Sequence, residues 1–382
     1  MILSGIESFS KLGDSIYFEE EGDVPALYII QYITSTLNWR SGHISLSQEV
    51  ETIVSWDQRL RVGLTVLSKE QAVGATSTLN FRIPPWTYSA GAKASFNGQD
   101  ISLPSPGNFL SLTRNWSPGD KVTFELPISL RTEAIKDDRS EYSSLQAIFY
   151  GQYLLAGLCS SDFDIKADPK TPISDWITPV PDDHHSHLIS LTQESANTTL
   201  AFTNAYGYIQ MQGIPDSGTN SAANATFRLI LKDPKLGSFS GPADAIGKLV
   251  MLEPFNFPGK IIVHNGEGKI LGVTDSEESP RSTFWLIPGL GGKDGTVSLE
   301  SVDRKGCFIH SGVDFRSGAI MKLNCRPNSL KEGFDEAASF RLMEGLSEYH
   351  PISFVAKGID RNFVMVPLFS LKDESYTAQF HG

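Results

Sequence analysis

Apolar residues in this chain fall at alternate positions or in short runs, and turn residues interrupt them every few steps. Alternation of this kind marks strands with one buried face. It predicts strands near 16–18, 26–33, 42–50, 61–67, 78–83, 92–96, 109–114 and 121–126. Asn97-Gly98 is a hairpin signal between two of them, and Pro118-Gly119-Asp120 marks another turn. Helical spacing is confined to Ile2, Ile6, Phe9 and Leu12, with Gly13 as a stop, which predicts one short N-terminal helix. Residues 145–158 are the most apolar stretch. Their central glycine and clustered aromatic and aliphatic residues favour a buried strand pair over a helix.

The expected organisation is all-β: an antiparallel β-sandwich over 15–160, a linker and small β unit over 161–244, and a repeated β unit over 245–382. The repeat rests on three stretches: 251–264, 296–310 and 352–366. Each has an apolar strand, a small turn and a second apolar strand, and the first two close on His264 and His310. A Phe follows in each, at Phe284, Phe340 and Phe380. Leu252, Leu299 and Phe354 stand 47 and 55 positions apart, a period that implies copies covering one another around a threefold arrangement.

The formal net charge of −12 argues against nucleic acid and anionic membrane surfaces as partners, and no apolar run approaches a membrane span. Residues 1–15 lack a basic region followed by an apolar run, so no signal peptide is visible. Cys159, Cys307 and Cys325 are too few for a disulfide framework. Cys307 and Cys325 either pair within one repeat or stay as buried thiols. Sequons stand at Asn115, Asn197 and Asn224.

Several clusters of reactive residues have plain structural readings. Glu19-Glu20-Glu21 and Asp137-Asp138 are adjacent carboxylates that do not face each other across a bond, as glycoside hydrolysis requires. The run Asp182-Asp183-His184-His185-Ser186-His187 has metal-ligand residue types but reads as an exposed loop. The glycine-rich stretches 266–272 and 289–295 lack the spacing of phosphate-binding loops.

The repeat resembles the arabinose-binding β-trefoil at the C-terminus of arabinofuranosidase B enzymes. There each copy carries a strand ending in His and, later, an Asp before an Ala-Thr-Phe-like triplet. His264 and His310 match the histidine; the Asp position holds Arg281, Ala337 (with Asp335 two residues earlier) and Thr377. The stretches 5–22, 79–86 and 126–135 resemble plant β-L-arabinofuranosidase-like glycoside hydrolases, which extends the likeness over nearly the whole chain. That resemblance implies an (α/α)-barrel catalytic domain, of which the first helix, 1–14, would be a remnant.

It also implies a zinc-bound pair of adjacent cysteines, one the nucleophile, just before Gly5-Ile6-Glu7-Ser8-Phe9. Residues 1–4 hold no cysteine, so no cofactor and no catalysis by this chain alone are expected. The implied partner is an arabinofuranose-bearing polysaccharide or glycoprotein, and the implied full-length protein is extracellular. A furanose site needs a polar donor or acceptor, a carboxylate and an apolar wall. His310 with Asp335 and Phe308 is the expected set in the second repeat, and His264 with Asp275 in the first; the third, with Met365-Val366 at the histidine position, is expected not to bind.

Overall fold

The computed structural model describes residues 15–69, 76–136, 139, 144–159, 165, 171–195, 198–232, 241–275, 279–327, 332–378 and 380–381. The short helix expected over 1–14 and the Asp137-Asp138 pair lie outside the described residues. Strands make up 49% of the chain and helices 8%, so the molecule is mostly β. Contacts divide it into two units, Met1–Arg131 with Phe149–Tyr153, and Thr132–Ile148 with Leu154–Gly382.

The first unit contains β1 (Tyr17–Glu20), β2 (Ala26–Ile29), β3 (Ser35–Trp39), β4 (Ile44–Val50) and β5 (Arg59–Lys69). It continues with β6 (Ser77–Arg82), β7 (Lys93–Phe96), β8 (Gln99–Ile101), β9 (Phe109–Arg114) and β10 (Lys121–Pro127). They form two sheets, ordered β1-β2-β6-β9 and β3-β4-β5-β10-β7-β8. Phe124 of the second sheet meets Phe81 and Tyr32 at ring separations of 5.2 and 5.9 Å, so the two inner faces share one aromatic core. The pairing departs from the purely antiparallel expectation at one place: β2 and β6 run parallel, Leu27 opposite Leu79. The strands between them cross to the other sheet, and a parallel pair needs such a crossover. Asn97 and Gly98 turn β7 into β8 with φ of 49° and 80°, the left-handed pair that the Asn-Gly signal requires.

Strands β11 (Leu130–Ala134), β12 (Leu145–Tyr150) and β13 (Tyr153–Leu158) follow, and the expected buried strand pair over 145–158 is β12 and β13. In the second unit the next strands are β14 (Ile177–Pro179), β15 (Leu188–Glu194), β16 (Thr199–Ala205), β17 (Tyr208–Gly213) and β18 (Phe227–Leu231). After them come β19 (Leu249–Pro254), β20 (Lys260–His264), β21 (Leu271–Asp275) and β22 (Phe284–Pro288). A similar group is β23 (Thr296–Ser301), β24 (Cys307–His310), β25 (Lys322–Cys325) and β26 (Phe340–Glu344). The last strands are β27 (Phe354–Ala356), β28 (Phe363–Pro367), β29 (Tyr376–Thr377) and β30 (Phe380–His381).

Six of these close on themselves. β15 pairs with β18, β18 with β19, β19 with β22, β22 with β23, β23 with β26, and β26 with β15. The result is a barrel with no open edge among its own strands. Its interior holds Leu191, Phe227, Leu229, Leu252, Phe284, Leu286, Leu299 and Phe340, all at most 1% exposed. Three hairpins, β16–β17, β20–β21 and β24–β25, complete the three copies.

The copies are therefore 188–231, 249–288 and 296–344. This corrects the expected placement. The stretch 352–366 does form a hairpin, but its strands β27 and β28 pair with β14 and β13 rather than with the ring. The expected boundary at 244 falls inside the barrel, because β18 pairs with β19 across it.

Candidate functional site

The three copies share a hydrogen-bonded corner just before their last strand. Thr226 Oγ1 donates to the Ala222 carbonyl and Thr283 Oγ1 to that of Ser279, each at 2.9 Å; Ser339 Oγ donates to that of Asp335 at 2.6 Å. The next residue in each copy, Phe227, Phe284 or Phe340, enters the barrel core fully buried. The corner fixes where the following phenylalanine points, so an Ala-Thr-Phe-like triplet is a structural part of the barrel whatever stands before it.

His264 closes β20 and is fully buried. The Gly266 N–H donates to Nδ1 at 3.3 Å, which leaves the proton on Nε2 to donate to Ser301 Oγ at 2.9 Å. Burial lowers its pKa; the Asp303 carboxylate, 4.0 Å away, opposes that shift, and Arg304 and Arg281 reinforce it. Asp275 does not join it. That residue stands at the far end of the hairpin, opposite Lys260, and its exposed carboxylate pairs with Lys260 Nζ at 2.7 Å. The acid near His264 is Asp303, from the turn after β23.

His310 closes β24 in the equivalent way, with Nδ1 accepting from the Gly312 N–H at 2.9 Å. Its Nε2 is buried and has no hydrogen-bond partner among the described residues. The ring leans on Phe334 at 4.8 Å, and Phe308 meets Phe334 edge-on at 6.5 Å. Burial alone pushes the imidazole pKa down to about 4, so at neutral pH the ring is uncharged and Nε2–H is a donor without an acceptor. The structure thus brings His310 and Phe308 to one aromatic cluster. Asp335 lies beside that cluster in sequence, but its carboxylate is turned to Arg326.

Sequence reasoning missed Gln193, at the end of β15. Its two Nε2 hydrogens are shared among the carbonyls of Glu336, Ala337 and Ser339 at 3.2, 3.1 and 2.9 Å, while its Oε1 is buried without a partner among the described residues. A cavity of about 310 Å³ lies here, lined by Gln193, Thr192, Phe315, Ser339, Arg341 and Asp294 among others. Phe315, which lines this cavity, holds φ at 42°, a left-handed backbone rare for a bulky residue. The volume falls at the lower end of the range for small-molecule sites, about 300–1,000 Å³.

The copy that the sequence reading overlooked carries a different set. Asn256 donates to Asn224 Oδ1 at 2.7 Å and accepts from Asn204 at 3.0 Å, and Arg361 donates to the Asn256 carbonyl at 2.7 Å. The adjoining cavity, about 40 Å³, has room for a water but not for a sugar ring. The signal for this copy was present in Asn224-Ala225-Thr226-Phe227, a closer match to the triplet than the stretches before Phe284, Phe340 and Phe380.

The other candidates fall into place as structural features. Residues Asp182–His187 form a short 3-10 helix, and His184 Nε2 stands 3.2 Å from Arg228 Nη1. Among the described residues no group of three or more His, Cys, Asp or Glu is placed to hold a metal ion. Cys307 and Cys325 face each other across the β24–β25 hairpin as a disulfide, and Cys159 is buried. These residues do not fit the zinc site that the resemblance implies. Among the described residues no helix is long and apolar enough to cross a membrane, which says nothing of a membrane β-barrel.

Residues 26–128 match the family model described as beta-L-arabinofuranosidase, GH127 middle domain. A comparison with curated proteins gave no match. Among solved structures, the chain is similar to a GH127 β-L-arabinofuranosidase from Geobacillus stearothermophilus T6 at 18% identity and a TM-score of 0.31, covering 63% of this chain and 32% of that one. It is also similar to the designed threefold-symmetric protein ThreeFoil, at 11% identity and a TM-score of 0.30, over 41% of this chain and 98% of that one. A third is an arabinofuranosidase complexed with arabinofuranosyl-α-1,2-xylobiose, at 11% identity and a TM-score of 0.31, over 79% and 53%. The chain spans about a third of the length of the Geobacillus enzyme.

Proposed function

We propose that the barrel is a β-trefoil carbohydrate-binding module for L-arabinofuranose side chains of wall polysaccharide or glycoprotein, and that its binding copy is the one holding His310. One observation carries this reading. Around the segment 336–339 the fold leaves a buried donor, His310 Nε2–H, and a buried acceptor, Gln193 Oε1, both unmet. Each unmet buried group costs roughly 1–3 kcal/mol, and a sugar hydroxyl, which donates and accepts, answers both kinds. Phe334, Phe308 and Phe315 supply apolar surface nearby. His264, with both ring nitrogens engaged, offers no such opening.

The test is titration of the full chain with branched arabinan and with free arabinose, for the unmodified protein and for His310→Phe. Saturable binding of free arabinose that His310→Phe abolishes, with the fold retained by circular dichroism, is the expected result. Absence of binding in the folded, unmodified protein removes the proposal.

The match of residues 26–128 favours a second reading, compatible with the first. The chain is then the non-catalytic portion of an arabinofuranosidase-type glycoside hydrolase acting in L-arabinose release. The discriminating observation is the reading frame upstream of Met1: an in-frame pair of adjacent cysteines supports it, and an in-frame stop immediately upstream defeats it. Release of free arabinose by the present polypeptide would contradict the assignment of a non-catalytic role.

A further inference from the structure

A second polar concavity lies in the first unit, on the six-stranded sheet. Strand register sets Glu49, Gly63, Thr123, Ser95 and Asp100 in one row across β4, β5, β10, β7 and β8. Their strand neighbours Val62, Ala94 and Phe124 are buried on the opposite face, so the row faces outward. A trough of about 510 Å³ lies over it.

Gly63 sits in the middle of this row, away from any turn. Its backbone is outside the left-handed region, and an added Cβ would meet only the flexible end of Lys121, at 3.3 Å. Neither conformation nor packing demands glycine there. Glycine inside a strand weakens it and is found at bulges, at bends or where something approaches the backbone closely; the ladders on both sides of Gly63 keep their register, so no bulge accounts for it.

The charges around the trough divide into two groups. Arg61 is engaged by Asp57 at 2.5 Å, with Glu125 and Glu51 at 3.6 and 3.9 Å. Among the described residues Glu49, Asp100, Lys93 and Lys121 make no ion pair. Two carboxylates and two ammonium groups therefore stand uncommitted on one surface. A charged ligand would gain from one pair and be repelled by the other. A neutral polyol gains from both, because each hydroxyl donates to a carboxylate or accepts from an ammonium. Five strands spaced at about 4.8 Å give the row a span of roughly 19 Å, longer than a single sugar ring.

We propose that the trough over Gly63 binds a neutral oligosaccharide, laid as an extended chain across the strands. This site shares no residue with the His310 site and does not depend on it. Calorimetric titration of the full chain with xylo-oligosaccharides, arabino-oligosaccharides and free arabinose tests it. The expected result is xylo-oligosaccharide binding that Gly63→Gln weakens by at least about tenfold, while binding of free arabinose is the same in Gly63→Gln as in the unmodified chain. Lys93→Ala combined with Asp100→Asn provides a second, surface-only variant with the same expected loss, should Gly63→Gln unfold. The proposal is overturned if neither oligosaccharide series binds the unmodified chain. It is equally overturned if binding survives the trough variants and disappears in His310→Phe.

Discussion

Gln193 and Ser311, from the first and third copies of the barrel, donate to the same atom, the carbonyl oxygen of Ala337, at 3.1 and 3.0 Å. The last copy is thereby fastened to the first at the corner that precedes Phe340, and the polar groups proposed to receive a sugar are grouped around that fastening.

Gln193→Leu keeps the volume but removes the amide donor that the carbonyls of Glu336, Ala337 and Ser339 share. The expected cost is about 1–3 kcal/mol in the second unit, read from denaturant unfolding. A change below about 0.5 kcal/mol would mean that the corner is held by its other bonds alone.

The two histidines should respond differently to the same change. His264→Phe deprives Ser301 Oγ and the Gly266 N–H of a partner and should destabilise the fold by roughly 2–3 kcal/mol. His310→Phe removes an unmet donor along with one acceptor, and should cost less than about 1 kcal/mol. Thermal melts of the two variants decide the order, and equal losses would argue that His310 is satisfied in solution.

Acid should act on the fold through His310. Its folded pKa, about 4, lies below the ordinary 6.5, so the unfolded chain takes up the proton first. The neutral ring's contribution is complete above about pH 6.5, declines as the pH falls towards 4 and is exhausted below that. His184, held at about 4 by burial and then by Arg228, acts in the same direction over the same window. The melting temperature should fall between pH 7 and pH 4, and less steeply in His310→Phe than in the unmodified chain. Parallel profiles would exclude a contribution from His310.

Opening the Cys307–Cys325 disulfide releases a loop whose ends are 18 residues apart. Loops of this length contribute about 3 kcal/mol through the unfolded chain. Reduction, or Cys307→Ser with Cys325→Ser, should lower the melting temperature of the barrel, while Cys159→Ser should leave the response to reductant unchanged.

The strands and turns of the first unit were readable because they depend on neighbours: alternation sets the buried face, and Asn97-Gly98 sets a hairpin. The parallel pairing of β2 with β6 was not, since it depends on strands that leave for the other sheet. The repeat was found but shifted by one copy. A strand, a turn and a second strand describe any antiparallel hairpin, and β27–β28 satisfies that outline with no place in the ring. The specific feature was the corner with its hydroxyl bond to the carbonyl four residues back, shared by Thr226, Thr283 and Ser339. At the candidate site, the histidines were legible from their strand ends. Their carboxylate partners were not, because Asp275 and Asp335 are taken by Lys260 and Arg326, nearby cations that sequence spacing does not assign.

Closure of the ring by β15 and β26 joins segments about 150 residues apart, Leu191 opposite Leu342. During synthesis the barrel must wait, with two strand flanks bare, until its final strand has left the ribosome. Non-local pairing of this kind slows folding and lengthens exposure to sticking partners. The chain's dependence on chaperones should therefore be greatest before residue 344 emerges and should drop once it has.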